Sequence, residues 1–142
     1  MKTILNEFIG ALDVSLKKHQ AEGQGIARLT ISQLQYIEAI YKLGETPITA
    51  IAERLKLSKA SVTVGVNKLV ELGYVNKNQS TEDKRVFHAR LTEAGRQLVA
   101  AKEKALEDYA SIIQTTLDRE EAEQFSRLLQ KITTAFKQAE NH

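Results

Sequence analysis

Apolar residues at three- and four-residue spacing predict long helices at both ends of the chain. The first covers residues 2–22, and a glycine-rich stretch at 23–25 interrupts it. Two more follow the middle of the chain, one over residues 92–117 and one that Asp118 caps. The last helix repeats its apolar residues at strict heptad spacing, which is typical of a helix that packs along another helix. These residues are Ala122, Phe125, Leu129, Ile132, Phe136 and Ala139.

Cap and stop signals divide the middle of the chain into three shorter helices. Thr30 opens a capping box at the start of the first one. Thr46-Pro47 is interpreted as an N-cap followed by a first-turn proline, which would begin the second. Ser58 caps the third, predicted over residues 59–72. Two such short helices with a brief connection between them predict a helix-turn-helix.

Alternating apolar and polar residues replace the helical spacing after Gly73. Residues 74–78 and 86–91 favour extended chain, and a polar loop at 79–85 joins them into a hairpin. A hairpin directly after a helix-turn-helix predicts a wing. The expected fold is therefore mainly α with a small β-hairpin wing. We predict one domain over residues 1–142, with a winged helix-turn-helix lobe at 30–92 and dimerisation helices at 1–22 and 93–139.

Composition narrows the class of protein. The chain has 142 residues, of which 42% are apolar and 27% charged, so one soluble domain with its own core is expected. No stretch approaches the roughly 20 apolar residues that span a bilayer, and the first residues lack the apolar run of a secretory signal. We therefore expect a cytoplasmic protein with no membrane partner.

The residue types exclude several kinds of chemistry. The chain has no Cys, which removes thiolate nucleophiles, zinc fingers and redox-sensing thiols. Its histidines, His19, His88 and His142, do not share the spacing that places two ligands on one helical face. We predict no catalytic residue, no cofactor and no metal site. A metal-responsive regulator that uses His19, His88 and carboxylates of the last two helices stays open.

Charge is concentrated in the middle of the chain. Residues 53–90 carry a net charge of +4, whereas residues 1–52 are neutral and residues 91–142 carry −2. A positive centre between neutral and acidic flanks is typical of a surface that faces phosphate, although a merely solvated face has the same pattern.

The third short helix has the composition of a helix that enters a DNA groove. Its outward half is small and polar, which lets a helix backbone approach base edges. We predict that Asn67 pairs with adenine and that Val64 packs on a thymine methyl group, while the lysines neutralise phosphate. The alternative is that the hydroxyls only cap and solvate a surface helix. The candidate residues are Ser58, Lys59, Ala60, Ser61, Thr63, Val64, Asn67 and Lys68. Gly65 is interpreted as a close contact with the preceding helix.

The wing loop supplies a second candidate contact. Arg85 is predicted to enter the minor groove, with Asp83 orienting it through a charge-assisted hydrogen bond and Lys84 beside it. An ordinary exposed ion pair is the alternative. His88 and Arg90 are lesser candidates on the neighbouring strand.

The terminal helices have apolar faces that the lobe alone could not cover, which predicts a homodimer. An internal helix bundle is the alternative. The predicted dimerisation residues are Leu5, Phe8, Leu12, Tyr109, Ile112, Phe125, Leu129, Ile132 and Phe136.

Several motifs together resemble the MarR family of bacterial and archaeal regulators over about residues 30–139. Residues 57–63 and 67–75 are similar to its recognition helix and first wing strand, and residues 51–55 to its first helix-turn-helix helix. Residues 82–86 and 91–95, Glu-Asp-Lys-Arg-Val and Leu-Thr-Glu-Ala-Gly, match its wing signature of Asp-x-Arg followed by Leu-Thr-x-x-Gly.

The resemblance implies a homodimeric repressor whose two recognition helices enter successive major grooves of a pseudo-palindromic operator in double-stranded DNA. It also implies release of DNA by a small-molecule effector bound between the dimer helices and the lobe. Tyr36, Tyr41 and Tyr109 either line that pocket or belong to the core. Val64 departs from the family pattern, since many members carry a basic residue there. A protein-docking winged helix and an enzyme are the rival functions.

Overall fold

The computed structural model describes the chain over residues 1–21 and 29–140, without the side chains at 16, 17 and 19–21. The predicted break at residues 23–25 and the side chains of His19 and His142 lie outside the described part. Within that part the chain forms six helices and three strands, which confirms the predicted fold class. They are α1 (Lys2–Ala21), α2 (Ile31–Leu43), β1 (Thr46–Pro47), α3 (Ile48–Leu55), α4 (Lys59–Glu71), β2 (Val75–Gln79), β3 (Phe87–Leu91), α5 (Glu93–Thr116) and α6 (Arg119–Glu140).

The chain divides into two compact units, here called the N-terminal unit (Met1–Glu103) and the C-terminal unit (Lys104–His142). The core of the N-terminal unit lies between α2, α3, α4 and the sheet. Burying each of its large aliphatic side chains contributes about 1.5–3 kcal/mol. The fully buried ones are Ile37, Ile40, Ile51, Val62, Val66, Leu69 and Val75.

Helix α2 starts at the predicted capping box. The Thr30 hydroxyl accepts from the Gln33 backbone N–H at 3.1 Å, and the Gln33 side chain accepts from the Thr30 N–H at 2.9 Å. Its buried face is centred on Tyr36, Ile37 and Ile40, whereas Tyr41 is exposed. Tyr36 is therefore a core residue. Tyr41 does not belong to the core, because the buried face of α2 is centred on the neighbouring positions Tyr36, Ile37 and Ile40.

Thr46 and Pro47 form a strand and not the start of a helix. They pair antiparallel with Ala89 and His88, so the sheet has three strands in the order β1-β3-β2. Thr46 is 3% exposed, and its hydroxyl donates to the Pro47 carbonyl at 3.4 Å. Pro47 takes the N-cap position of α3 without a side-chain cap. The prediction of Thr46 as the cap was wrong because the sheet holds this residue extended and buried.

The predicted hairpin is confirmed. Strand β2 pairs with β3 in a register that runs from Val75 opposite Leu91 to Gln79 opposite Phe87. Ala89 and Leu91 point into the core, where α4 packs on the sheet. The hairpin therefore stands beside α4 and is attached to the same core.

The junction from the hairpin to α5 depends on Thr92 and Gly95. The Thr92 hydroxyl donates to the Gly73 carbonyl at 2.7 Å and accepts from the Gly95 N–H at 3.2 Å. The Thr92 N–H donates to the Tyr74 carbonyl at 3.0 Å. A Cβ at Gly95 would collide with that same carbonyl oxygen. The Leu-Thr-x-x-Gly motif thus ties the end of α4 and the wing to the first turn of α5.

The C-terminal unit contains most of α5 and all of α6. Asp118 caps α6 as predicted, because its carboxylate accepts from the Glu121 N–H at 2.9 Å and the Glu121 carboxylate accepts from the Asp118 N–H at 3.0 Å. No side chain described in α6 is buried. A groove of about 450 Å³ lies between the helices, lined by Ala110, Ile113, Gln114, Ala122, Glu123, Phe125, Ser126 and Leu129.

Candidate nucleic-acid interface

Helix α4 has one buried face and one open face. Val62, Val66 and Leu69 are fully buried, which fixes the rotation of the helix on the core. The opposite face is exposed at Ala60, Ser61, Val64 and Asn67, and Val64 is 71% exposed. A single exposed apolar side chain is ordinary on a protein surface. The exposed side of α4 is therefore not needed by the core, and it combines Val64 with small polar side chains.

Three hydroxyls of the predicted site are engaged within α4. The Ser58 hydroxyl accepts from the Ser61 N–H at 3.1 Å and donates to the Ser61 hydroxyl at 2.9 Å. The Thr63 hydroxyl donates to the Lys59 carbonyl at 2.9 Å. Ser58 is thus the N-cap, and Thr63 can offer an outside partner only an acceptor. Ser61 keeps its own proton for an outside acceptor.

The two lysines of α4 differ in their surroundings. Lys59 is exposed in the first turn. Lys68 is exposed in the last turn, where its ammonium lies 3.4 Å from the Glu71 carboxylate. An exposed pair of this kind contributes at most about 1 kcal/mol, so it exchanges easily for a phosphate.

Asn67 accepts a hydrogen bond from a lysine of the neighbouring sheet. The Lys77 ammonium donates to Asn67 Oδ1 at 2.9 Å and lies 4.6 Å from the centroid of the Phe87 ring. No role for Lys77 was predicted from the sequence. The missing signal is tertiary, because no local pattern says which helix residue a strand lysine will meet.

At the wing tip, Asp83 holds Arg85. Its carboxylate accepts from Arg85 Nε at 3.1 Å, from Arg85 Nη2 at 3.2 Å and from the Arg85 backbone N–H at 3.0 Å. The Arg85 side chain is nonetheless 90% exposed. The hydrogen bonds from Arg85, side chain first and then backbone, lower the pKa of Asp83 below its ordinary value. The pairing with Arg85 therefore stabilises the charged form of the carboxylate.

The loop that carries this pair is built by its own side chains. The Ser80 hydroxyl accepts from the backbone N–H groups of Glu82 and Asp83 at 3.2 and 3.3 Å. The Gln79 side-chain amide donates to the Lys84 carbonyl at 2.7 Å. Gln79 and Ser80, which sequence analysis did not single out, thus give Asp83, Lys84 and Arg85 a defined backbone. Lys84 is exposed beside Arg85.

The lesser candidates lie on β3. His88 is half-buried and Arg90 is exposed. Among the side chains that the structure describes, at residues 1–15, 18 and 29–140, no three His, Asp or Glu lie together as a metal-binding group. Over residues 1–21 and 29–140 no helix combines the length and the apolar character that a membrane span requires.

The predicted dimerisation residues lie on α1, α5 and α6. Leu12, Tyr109 and Phe125 are half-buried. The other six are exposed: Leu5, Phe8, Ile112, Leu129, Ile132 and Phe136.

Comparison with known proteins assigns the chain to a family. The MarR family model matches residues 29–87, which include α2, α3, α4 and β2. The transcriptional regulator ZitR of Lactococcus lactis is 30% identical over 141 residues, which cover 94% of this chain and 96% of ZitR. The chain belongs to the MarR family. The solved structure of ZitR, described as a zinc-responsive MarR family member, aligns with a TM-score of 0.55 and 31% identity over 76% of each chain.

Other MarR-like proteins share the fold or part of the sequence. Streptococcus pneumoniae FabT, solved in complex with DNA, aligns with a TM-score of 0.69 and 20% identity over 98% of this chain and 99% of FabT. The chain spans about half the length of two Bacillus subtilis relatives, the uncharacterized regulators YhjH and YhbI. YhjH is 28% identical over 69% of this chain and 52% of its own length. YhbI is 33% identical over 59% of this chain and 53% of its own length. ZitR, YhjH and YhbI are each described as transcriptional regulators.

Proposed function

We propose that this MarR-family chain is a sequence-specific regulator of transcription that binds double-stranded DNA. The observation that carries the proposal is the open face of α4. Val64 and Asn67 are exposed on the side of α4 opposite its buried residues, Val62, Val66 and Leu69. A helix with this division can lie in a major groove while its other side remains anchored to the core.

Each part of α4 has a different task in the proposal. Val64 packs on a thymine methyl group and Asn67 contacts a base edge, which gives sequence preference. Lys59 and Lys68 bind phosphate, as do Ser61 and the backbone at the N-terminus of α4, and these contacts position the helix without reading sequence. Ser58 contributes indirectly as the N-cap that keeps the first turn of α4 in place.

The wing makes the second contact. Arg85 enters the minor groove, where the negative potential is greatest when the groove is narrow. Asp83 has a positioning role, because it holds both Nε and Nη2 of the guanidinium from one side. Lys84 extends the positive charge of the wing towards phosphate.

The protein acts as a homodimer in this proposal. Exposed apolar side chains on α1, α5 and α6 supply the surface that a second copy covers, and the groove lined by Phe125 and Leu129 receives side chains of that copy. Two copies of α4 then read a pseudo-palindromic operator, and bound protein blocks a promoter. A small-molecule effector relieves repression by favouring a dimer in which the two α4 helices have the wrong separation.

The relatives support DNA binding as the function. ZitR, which aligns over nearly the whole chain, is described as a transcriptional regulator, and FabT was solved with DNA bound. Zinc control like that described for ZitR is a separate matter. The described side chains include no cluster of three His, Asp or Glu that could hold a metal ion, and the His19 side chain lies outside them. Elemental analysis of purified protein tests for a metal directly.

A salt titration tests the proposal. Binding of the chain to duplex DNA is measured by fluorescence anisotropy across a range of salt concentrations. If about eight phosphates are neutralised per dimer, log K falls with log salt with a slope of about −7. Absence of binding at low salt, or an affinity that does not respond to salt, would contradict the proposal.

A further inference from the structure

The contact between Lys77 and Asn67 joins the wing to the proposed reading helix. Lys77 lies on β2, opposite Ala89, so Phe87 is its diagonal neighbour on the same face of the hairpin. The ammonium lies 4.6 Å from the Phe87 ring centroid, within the range of a cation–π interaction, and donates to Asn67 Oδ1 at 2.9 Å. Lys77 itself is half-buried. Two contacts therefore restrict where the ammonium can be.

An ammonium group determines which way an amide faces. It has three N–H donors and no acceptor, so only the oxygen of the Asn67 amide can meet it. The nitrogen, Nδ2, consequently points away from Lys77. A free asparagine can turn its amide over and present either atom, whereas Asn67 has one preferred orientation.

We propose that Lys77 is a specificity-determining positioning residue, which holds the Asn67 amide so that its N–H donors face the DNA. This inference rests on the proposed function and deepens it. In the major groove guanine displays two acceptors, N7 and O6, whereas adenine displays one acceptor and one donor. A free asparagine pairs with adenine through both amide atoms. With Oδ1 held against Lys77 and turned away from the base, Asn67 presents its two Nδ2 donors to the groove. Guanine, with its two acceptors, is then expected in place of the adenine predicted from the sequence.

The test compares four proteins on one set of duplexes: the wild type, Asn67→Ala, Lys77→Met and the double variant. Methionine keeps an unbranched apolar side chain beside Phe87 but removes the ammonium. The duplexes carry each base pair in turn at every position of a selected half-site, and Kd is measured for each. We expect the wild type to prefer guanine over adenine about tenfold at one position, the size of a typical specific base contact.

The two single substitutions have different expected effects at that position. Asn67→Ala removes the preference. Lys77→Met lowers the ratio of guanine to adenine affinity to about one or below, and in the Asn67→Ala background it changes that ratio no further. Lys77→Arg, which also has donors only, retains the guanine preference. Lys104→Met removes one exposed charge on α5 and leaves the ratio unchanged.

Two results would overturn the inference while DNA binding by the chain stands. In the first, Lys77→Met weakens all duplexes equally and reduces the salt slope of the dimer by about two, one for each protomer, which is the behaviour of a phosphate contact. In the second, the side-chain amide resonances of Asn67 in the free protein do not move in Lys77→Met. If the wild type shows no preference among duplexes, the proposed function fails, and this inference fails with it.

Discussion

Arg85 combines an exposed side chain with a fixed orientation. Two of its nitrogens and its backbone N–H are bound by the Asp83 carboxylate, yet 90% of the side chain meets solvent. Exposed ion pairs contribute little to stability, with a median of about 0–1 kcal/mol. The pair therefore matters for the direction in which the guanidinium points and not for the fold. A guanidinium already oriented loses less entropy when it binds DNA.

Replacing Arg85 with Ala should weaken binding of the dimer to duplex DNA about a hundredfold, because each of the two protomers loses one charged contact of about 1.5 kcal/mol. The melting temperature should stay within about 1–2 °C of the wild type, because no buried group is lost. Gel-shift titration and calorimetry measure the two quantities. Arg119→Ala is the matched control, since Arg119 is 94% exposed and is also paired, with the Glu123 carboxylate. Equal effects of the two substitutions on DNA affinity would contradict the proposed role of the wing.

The pKa of Asp83 provides a second prediction. Because the folded-state pKa lies below the ordinary value of 3.8, the pair is present at and above that pH and is lost as pH falls through the lowered pKa. We expect the carboxyl carbon resonance of Asp83 to titrate with a midpoint below pH 3.8 in the wild type. In Arg85→Ala that midpoint should move to a higher pH. The pair should therefore add no pH dependence to DNA binding near neutrality. A midpoint that is the same in both proteins would show that Arg85 does not bind the carboxylate in solution.

The wing pair could be predicted from the sequence because its two residues are close in the chain. Asp83 and Arg85 are two positions apart, so a local motif contained both partners. The bond between Asn67 and Lys77 joins residues ten positions apart, on different elements. Its existence depends on how the hairpin packs against α4, which no spacing in the sequence encodes. The exposure of Val64, in contrast, followed directly from the helical period.

At the scale of elements, the position of α4 depends on its packing against α2. A Cβ at Gly65 would overlap the buried Tyr36 ring, lying 2.8 Å from Cζ. The predicted close contact at Gly65 is thus confirmed, but its partner is α2 and not the preceding helix. The reason is that the Tyr36 side chain of α2 lies directly against Gly65. Tyr36 in turn helps to set where the open face of α4 stands.

Gly65→Ala should lower the free energy of unfolding by about 1–3 kcal/mol, because overpacking outweighs the helix propensity that alanine adds. Gly10→Ala is the matched control on α1, where a Cβ would meet nothing within 4 Å. That substitution should leave stability unchanged or raise it by up to about 1 kcal/mol. Urea denaturation measures both. Stabilisation by Gly65→Ala would mean that α2 and α4 are not packed as described.

Capping residues made most helix starts predictable from the sequence. The start of α3 was not, because strand pairing acts on the residues before it. Thr30, Ser58 and Asp118 all cap helices, since each hydroxyl or carboxylate finds an N–H within its own first turn. Thr46-Pro47 has the same local appearance. There the pairing with β3, distant in the chain, determines the outcome and converts a cap into a strand. A strand of two residues has no periodicity for sequence analysis to detect.

At the scale of the whole molecule, the exposed apolar side chains of α1 and α6 require an explanation. Phe8, Leu129, Ile132 and Phe136 are each about half exposed or more. Heptad spacing predicted that these positions of α6 share one face, but spacing alone cannot distinguish an internal partner from a second copy of the chain. Their exposure within the single chain favours a second copy.

Phe136→Glu should convert a dimer to a monomer, because it places a charge on an apolar face at a cost of several kcal/mol in the dimer. Analytical ultracentrifugation at micromolar concentration measures the change in mass. Ile31→Glu is the matched control, because it also places a charge at an exposed apolar position but outside the predicted dimer surface. Ile31 on α2 is 79% exposed, and Phe136 on α6 is 68% exposed. The account predicts that Ile31→Glu remains dimeric. A wild type that sediments as a monomer would remove the basis of the proposed dimer.

Selection of bound sequences from a random duplex library tests the central claim most directly, since it reports on the reading helix and on the dimer at once. The account predicts enrichment of a pseudo-palindrome whose half-sites are about one helical turn apart, ~10 base pairs from centre to centre. Substitution of Asn67 should alter the enriched base at one position in each half-site. Recovery of sequences with no common motif, or of single half-sites alone, would contradict the account.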